Sequence, residues 1–295
     1  MHILITGATG FIGYTLVSEL LKTSHKLTAL SRSAEKQRIK RPQVNWVTHL
    51  AQVDFNHIDA IINLAGEPIF YKSWTTKQKK CLTQSRVDLT QTLSEKIITA
   101  KKPPKVFISG SATGYYGEQN EHQLTEQSPP TDNFTGQLCQ QWENAALKAQ
   151  SEQTRVCLLR TGLVLDKNGG ALAQMLPFYR LGLGGKLGNG QQFWAWISLQ
   201  DIVRAILFLL ENETCQGAFN LVSPTPLQNT DFNNLLGQHL NRPTFFHVPA
   251  FLLKFILGER ACLLLDSQQI IPKRLSDAGF KFDYPTLTDF LQHHL

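Results

Sequence analysis

Apolar positions in the N-terminal half of the chain alternate between two periods. His2–Thr6 is a short apolar run ending in glycine, and it predicts a buried strand. From Phe11 to Lys22 the spacing changes: Ile12, Leu16, Leu20 and Leu21 share one helical face. Strands are expected again at Lys26–Leu30 and Val44–Thr48. Asp59–Ala65 (DAIINLA) is apolar almost without a break, as a strand covered on both faces requires. A mixed polar and apolar segment, Thr75–Ala100, predicts a long helix. Lys105–Ser109 predicts a strand, Gln137–Gln150 a helix and Arg155–Leu159 a strand.

Alternation of strands and helices over this length predicts an α/β fold, a Rossmann-type doubly wound parallel sheet whose crossover helices cover both faces. The later part is less regular. A helix is expected over 171–181, then a glycine-rich stretch, Gly182–Gly190, readable as a mobile loop over a ligand or as a connector. Phe193–Ile197 predicts a strand, Asp201–Leu210 a helix, and Ala218–Val222 a strand that joins the main sheet. Residues 224–295 carry prolines and short helical patterns, with Pro272 at a first helical turn. The expected organisation is a nucleotide-binding domain over 1–223 and a small C-terminal lobe of short helices over 224–295, packed on the carboxyl edge of the sheet, where open α/β folds bind ligands.

Composition changes this picture little. The 295 residues are 42% hydrophobic and 18% charged, the balance of an ordered globular protein. A formal net charge of +6 favours anionic ligands. The lysines are scattered and not interleaved with aromatics, so no nucleic-acid partner is expected. The five cysteines form no CxxC pair, which suits a reducing compartment. No secretory signal or long apolar span is visible, so no membrane partner and a cytoplasmic location are expected. A homodimer is left open.

The chemistry begins at Gly7-Ala8-Thr9-Gly10-Phe11-Ile12-Gly13, a GxxGxxG pattern between the first strand and the first helix. Gly7 permits a tight turn, Gly10 lets the backbone approach a pyrophosphate, and Gly13 lets the helix pack closely. Free amides at the helix N-terminus then meet phosphate oxygens. The second strand ends in Leu30-Ser31-Arg32-Ser33. No acid occurs from Lys26 to Ala34 to hold the ribose 2′-hydroxyl of NAD(H). Ser31 and Arg32 instead suit the 2′-phosphate of NADP(H), which a guanidinium can grip in a forked arrangement. NADP(H) is the expected cofactor, with NAD(H) second. Leu64, Ala65 and Gly66 after the fourth strand let the backbone approach the adenosine side. Arg86 in the long helix either reaches the phosphates or pairs with a carboxylate.

The segments ITGATGFIG, INLAGEPI, SRVDLTQTL, ISGSATGYYG, CLLRTG, MLPFYRLGLGGKLGNGQQFWAWI, DIVRAI, FNLVSP and PKRL..AGF run in order through nearly the whole chain. Together they resemble the atypical extended short-chain dehydrogenase/reductases of the YfcH-like NAD-dependent epimerase/dehydratase family. Thr244–Leu295 resembles that family's C-terminal domain of unassigned function. The resemblance implies NADP(H) at Gly7–Gly13, Ser31-Arg32, Leu64-Ala65 and Arg86. It also implies that the turn after Arg160, with Gly162, Leu163 and Val164, lies near the nicotinamide. Where human-type members carry an acid in the long helix, this chain has Cys81.

Relatives with a defined mechanism use Tyr-x-x-x-Lys on a helix, the lysine lowering the tyrosine pKa and a serine polarising the carbonyl. No Tyr-x-x-x-Lys occurs in this chain; Thr135 and Cys139 stand near the expected positions. The strand-end serine is retained as Ser111, either catalytic or a turn serine. Tyr116 is the candidate surrogate acid, but with no lysine adjoining to lower its pKa, an aromatic wall formed with Tyr115 is the favoured reading. Glu67 and Glu118 are further candidate acids. Phe193-Trp194-Ala195-Trp196 lines a pocket or fills a core. No metal-ligand motif is present. Two functions fit: an NADP(H)-dependent nucleoside-diphosphate-sugar epimerase or carbonyl oxidoreductase acting on a nucleotide sugar or small carbonyl compound, and a non-catalytic NADP(H)-binding redox sensor.

Overall fold

The computed structural model describes all residues from Met1 to Leu295. Seven parallel strands form the central sheet in the spatial order Gly217–Leu221, Arg155–Thr161, Val106–Ala112, Ala60–Asn63, His2–Thr6, Lys26–Leu30, Asn45–Val47. Order reverses between the first strand and Ala60–Asn63. Connections on either side of that point lead away from it, which opens a crevice at the strands' carboxyl ends. The expected strands are all present, and the last one joins the main sheet as read from sequence.

Side-chain alternation divides the core into two layers. Ile3 and Ile5 face the helices Phe11–Leu20 and Leu199–Glu211, packing with Leu16, Ile202 and Ile206. Leu4, Ile61 and Phe107 face the opposite side and meet Leu93 and Ile97 of the long helix Thr76–Thr99. Local capping sets the helix boundaries. Thr75 accepts from the Gln78 amide, and Asn133 accepts from the Gly136 amide at 2.9 Å. The Asn133 cap starts the fourth long helix at Phe134, three residues before the expected Gln137, and it runs to Leu147.

The region after the sixth sheet strand departs most from expectation. Leu163–Asp166 is a further strand, paired in parallel with Trp196–Ser198. The single strand expected over Phe193–Ile197 is two, because Phe193–Trp194 pairs instead with Leu227–Gln228. Trp194 and Trp196 are buried beside Leu172, Leu176 and Phe232, so this aromatic run fills a core. Part of the glycine-rich stretch is itself a strand, Gly185–Leu187, held by Phe246–Val248. The core around Trp194 draws residues from both sides of position 223, including Phe290 in the final helix Leu287–His294. Asp201, fully buried, fastens the C-terminal lobe by accepting from the Asp283 and Tyr284 amides.

Candidate functional site

The glycine turn is built as the sequence requires. Gly7 has φ +72°, and a Cβ there would lie 2.6 Å from the Leu64 carbonyl group and 2.7 Å from the Ala65 nitrogen. The chain therefore brings the first turn into backbone contact with Leu64-Ala65 across the switch point. A Cβ on Gly13 would lie 2.1 Å from the Gly7 carbonyl oxygen, so only glycine lets the helix seat on the turn. A Cβ on Gly10 would meet only that same oxygen, at 3.2 Å; its other side is open. The Gly10 amide closes the turn onto Gly7, while the amides of Phe11, Ile12 and Gly13 donate to nothing in the chain. The first turn carries no acid and no side-chain cap. Thr9 lies exposed in the turn. These unpaired amides and the helix dipole form an anion seat.

A buried polar network fixes the floor of this seat. Thr6 Oγ1 donates to Asn63 Oδ1 at 2.6 Å and accepts from the Ala65 amide. Asn63 donates to Thr90 at 2.8 Å, and Thr90 also accepts from the Trp142 indole. Two adjacent strands, the long helix and the helix Phe134–Leu147 are thereby locked in one arrangement.

Two guanidinium groups flank the seat. Arg32 is exposed at the end of the second strand and has no ion-pair or hydrogen-bond partner. Beside it Ser31 is nearly buried and accepts from the Ser33 amide. Arg86 packs on Gly66, where a Cβ would lie 3.0 Å from its guanidinium carbon. It donates to the Glu67 carbonyl at 2.9 Å and stands 5.4 Å from the Trp142 ring centre. No carboxylate pairs with it, and burial pulls its pKa below the usual guanidinium range. A half-buried cation without an anion is costly unless a ligand supplies one. The Glu67 carboxylate is engaged elsewhere: Lys72, 2.6 Å away, holds it below the usual carboxylate range.

Leu163 and Val164 also come to this cleft. Their strand turns back through Gly169 and Gly170, whose Cβ positions would lie 2.5 and 2.8 Å from the Phe11 ring. Phe11 and Ile12 are partly buried against the main core, as is Val164. The expected cofactor-binding residues thus converge around one crevice.

The candidate catalytic residues sit deeper. Ser111, 4% exposed, donates to Glu143 Oε1 at 2.6 Å. Glu143 is gripped by Arg160, which also donates to the Tyr116 hydroxyl at 2.9 Å and stacks 3.5 Å from the Tyr115 ring centre. Burial alone would lower the Arg160 pKa; the Glu143 carboxylate overrides it and holds the guanidinium well above its usual range. Tyr116 is fully buried, donates to Asn220 Oδ1 at 2.7 Å, and has its pKa pushed up to about 12 by burial. It has no exposed surface, and its hydroxyl is shared between Arg160 and Asn220. Sequence reasoning missed Glu143 and did not assign Arg160. An acid two helical turns after Thr135, opposite an arginine within a buried strand, was the available signal.

The positions that would hold a Tyr/Lys pair are occupied by inert groups. Thr135 donates to Asn133 at 2.8 Å as part of the helix cap. Cys139 is buried, directs its thiol at the Ala112 carbonyl, and has its pKa pushed up to about 12 by burial. No group of three or more His, Cys, Asp or Glu side chains is placed to hold a metal.

The C-terminal lobe closes the far side of the crevice. Arg260 donates to the Phe70 carbonyl at 2.8 Å, Glu259 pairs with Lys79, and Gln268 donates to the Thr113 carbonyl. Glu118 is spent on the same join, accepting from the Ser267 amide at 2.7 Å.

Comparison with known proteins agrees with this architecture. Residues 3–221 match the NAD dependent epimerase/dehydratase family, and residues 248–294 match a domain of unknown function (DUF1731). An Arabidopsis thaliana protein named as a chloroplastic SDR39U1 homologue of the epimerase family is 36% identical, covering 99% of this chain and 86% of that protein. A Mycobacterium leprae epimerase family protein is 36% identical, covering 98% and 94%. The crystal structure of human epimerase family protein SDR39U1 with NADPH superimposes with a TM-score of 0.92 at 33% identity, covering 99% of this chain and 98% of that one. A nucleoside-diphosphate sugar epimerase from Corynebacterium glutamicum gives 0.81 at 26% identity, covering 100% and 58%. A UDP-glucuronic acid 4-epimerase from Bacillus cereus, solved with UDP-glucuronic acid and NAD, shares the fold at 19% identity with a TM-score of 0.75. From its matched residues and these relatives, the chain belongs to the NAD-dependent epimerase/dehydratase family.

Proposed function

We propose that this protein binds NADP(H) at the first strand–helix junction and uses it either to oxidise and re-reduce one carbon of a nucleotide sugar, as an epimerase, or to oxidise or reduce one carbon of a small substrate, as a carbonyl oxidoreductase. The observation that carries the binding claim is the pair of guanidiniums, Arg32 and Arg86, without carboxylate partners on either side of unpaired helix amides. The residues fit a dinucleotide. Phe11, Ile12 and Gly13 amides would hold the diphosphate, Arg86 would neutralise it, Leu64-Ala65-Gly66 would border the adenosine side, and Ser31 with Arg32 would take the 2′-phosphate. Leu163 and Val164 would border the nicotinamide. The relative solved with NADPH supports the same choice.

When bound, the cofactor supplies the hydride chemistry. The chain's own residues decide orientation and proton placement. Ser111 commits its proton to Glu143, so only its lone pairs face outward. It accepts from a substrate hydroxyl and cannot polarise a carbonyl in that state. Arg160 holds Glu143 in place from behind.

A non-catalytic redox sensor is the second reading, favoured by the buried Thr135 and Cys139 where proton-transfer groups are expected. Turnover separates the two. Purified protein with NADPH is offered aldehydes and ketones, and with NADP+ is offered nucleotide sugars and simple alcohols. Substrate-dependent change in NADPH absorbance, or interconversion of nucleotide-sugar epimers followed by NMR, that falls in Ser111→Ala supports the enzyme. Tight NADPH binding with no turnover across the panel assigns the sensor.

A further inference from the structure

Nine of the fifteen exposed large hydrophobic side chains lie on one surface of the molecule, outside the cofactor crevice. Phe178, Leu181 and Leu183 come from the end of the helix Gly170–Arg180 and the turn that follows. Phe246 opens the strand paired with Gly185–Leu187, and Phe245, 90% exposed, immediately precedes it. The helix Ala250–Leu257 follows directly and presents Phe251, Leu252, Phe255 and Ile256, with Phe255 87% exposed, while only Leu253 turns inward.

These segments form one continuous face. Arg242 donates to the Arg180 carbonyl, the Phe246 amide donates to the Gly184 carbonyl, and Gly188 lies against Ala250. Monomeric proteins seldom leave so many large apolar groups together in water.

The charges carried by these segments are of one sign, and the partly buried Asp266 lies near Lys254. Residues 178–188 and 240–257 contain Arg180, Lys186, Arg242, His247 and Lys254, all exposed, and no aspartate or glutamate. None of the four Lys and Arg side chains forms an ion pair. Glu259, just beyond the helix, is turned away onto Lys79.

We propose that this face docks on an anionic lipid surface, with the aromatic side chains entering the boundary between headgroups and acyl chains and the four cations meeting lipid phosphates. The charge pattern selects this occupant over a second copy of the chain. A two-fold interface would set the same four cations against themselves with only the partly buried Asp266, near Lys254, to offset them. Apolar insertion and cationic attraction instead act together at an anionic membrane. No helix of the protein is long and apolar enough to cross a membrane, so the contact is peripheral.

The test is co-sedimentation of the full chain with vesicles of phosphatidylcholine mixed with phosphatidylglycerol, and with pure phosphatidylcholine vesicles. Binding to the mixed vesicles is expected, weakening with added salt. The Phe251→Ser/Phe255→Ser double variant and, separately, Lys254→Glu should each lose roughly tenfold or more in vesicle affinity. Both variants should keep wild-type NADPH binding, which shows that they are folded. Absence of binding to the mixed vesicles, or binding unchanged in the variants, would overturn the proposal. So would a lipid-free dimer in sedimentation equilibrium that the double variant abolishes, because the face would then belong to a second copy.

Discussion

Arg160 grips Glu143 through two hydrogen bonds, Nε to Oε1 at 2.8 Å and Nη2 to Oε2 at 2.9 Å, with both side chains nearly buried. Glu143 lies one helical turn beyond Cys139 and links Arg160 to Ser111.

That link makes the pair structurally expensive to break. Glu143→Gln leaves Arg160 charged and without its carboxylate, and Arg160→Met does the reverse. Each should lower unfolding stability by about 3–5 kcal/mol in denaturant titrations. The double variant Glu143→Gln/Arg160→Met should lose less than the sum of the two. Strict additivity would show that the charges do not depend on each other.

The turn at Gly7 and the helix at Gly13 are in backbone contact, so Gly13→Ala cannot be accommodated by a side-chain movement. Roughly 1–3 kcal/mol of stability should be lost as the helix shifts. NADPH binding should weaken with it, read by fluorescence titration at a temperature where the variant remains folded. An unaltered affinity would place the cofactor elsewhere.

Much of this was readable in the chain before any coordinates. The strand–helix alternation, the glycine turn and the arginine after the second strand are local features, each decided within a few residues. The network of Ser111, Glu143, Arg160, Tyr116 and Asn220 was not readable, because its members come from five elements and meet only in the fold. Tyr116 could be read in sequence as an acid or, more readily, as an aromatic wall; its burial is a tertiary fact. The strand Leu163–Asp166 was hidden for a related reason, since its partner, Trp196–Ser198, lies thirty residues on.

Asp266 gives a pH signature. Burial, with the Glu118 carboxylate nearby, raises its pKa from 3.8 to about 6. The folded state therefore holds this proton more tightly than the unfolded chain. Stability from this group is full below about pH 4 and is lost as pH rises through about 6. Asp266→Asn should raise the Tm relative to wild type near pH 8 and leave it nearly unchanged near pH 4. A Tm gain equal at both ends would remove this assignment.

Cysteine labelling checks the inert-thiol reading. Burial pushes the Cys139 thiol up to about 12, whereas Cys81 is exposed. Brief iodoacetamide treatment of the native protein at pH 8, followed by peptide mass spectrometry, should modify Cys81 and leave Cys139 free. Prompt modification of Cys139 would mean that the thiol opens to the crevice and is available for chemistry.

The account rests on a dinucleotide seated between Arg32 and Arg86, and its most direct test compares NADPH with NADH by calorimetric titration of wild type and Arg32→Ala. The wild type should prefer NADPH, and the variant should lose roughly tenfold to a hundredfold in NADPH affinity while NADH is little changed. Equal affinity of the wild type for both cofactors, or equal loss for both in the variant, would contradict it.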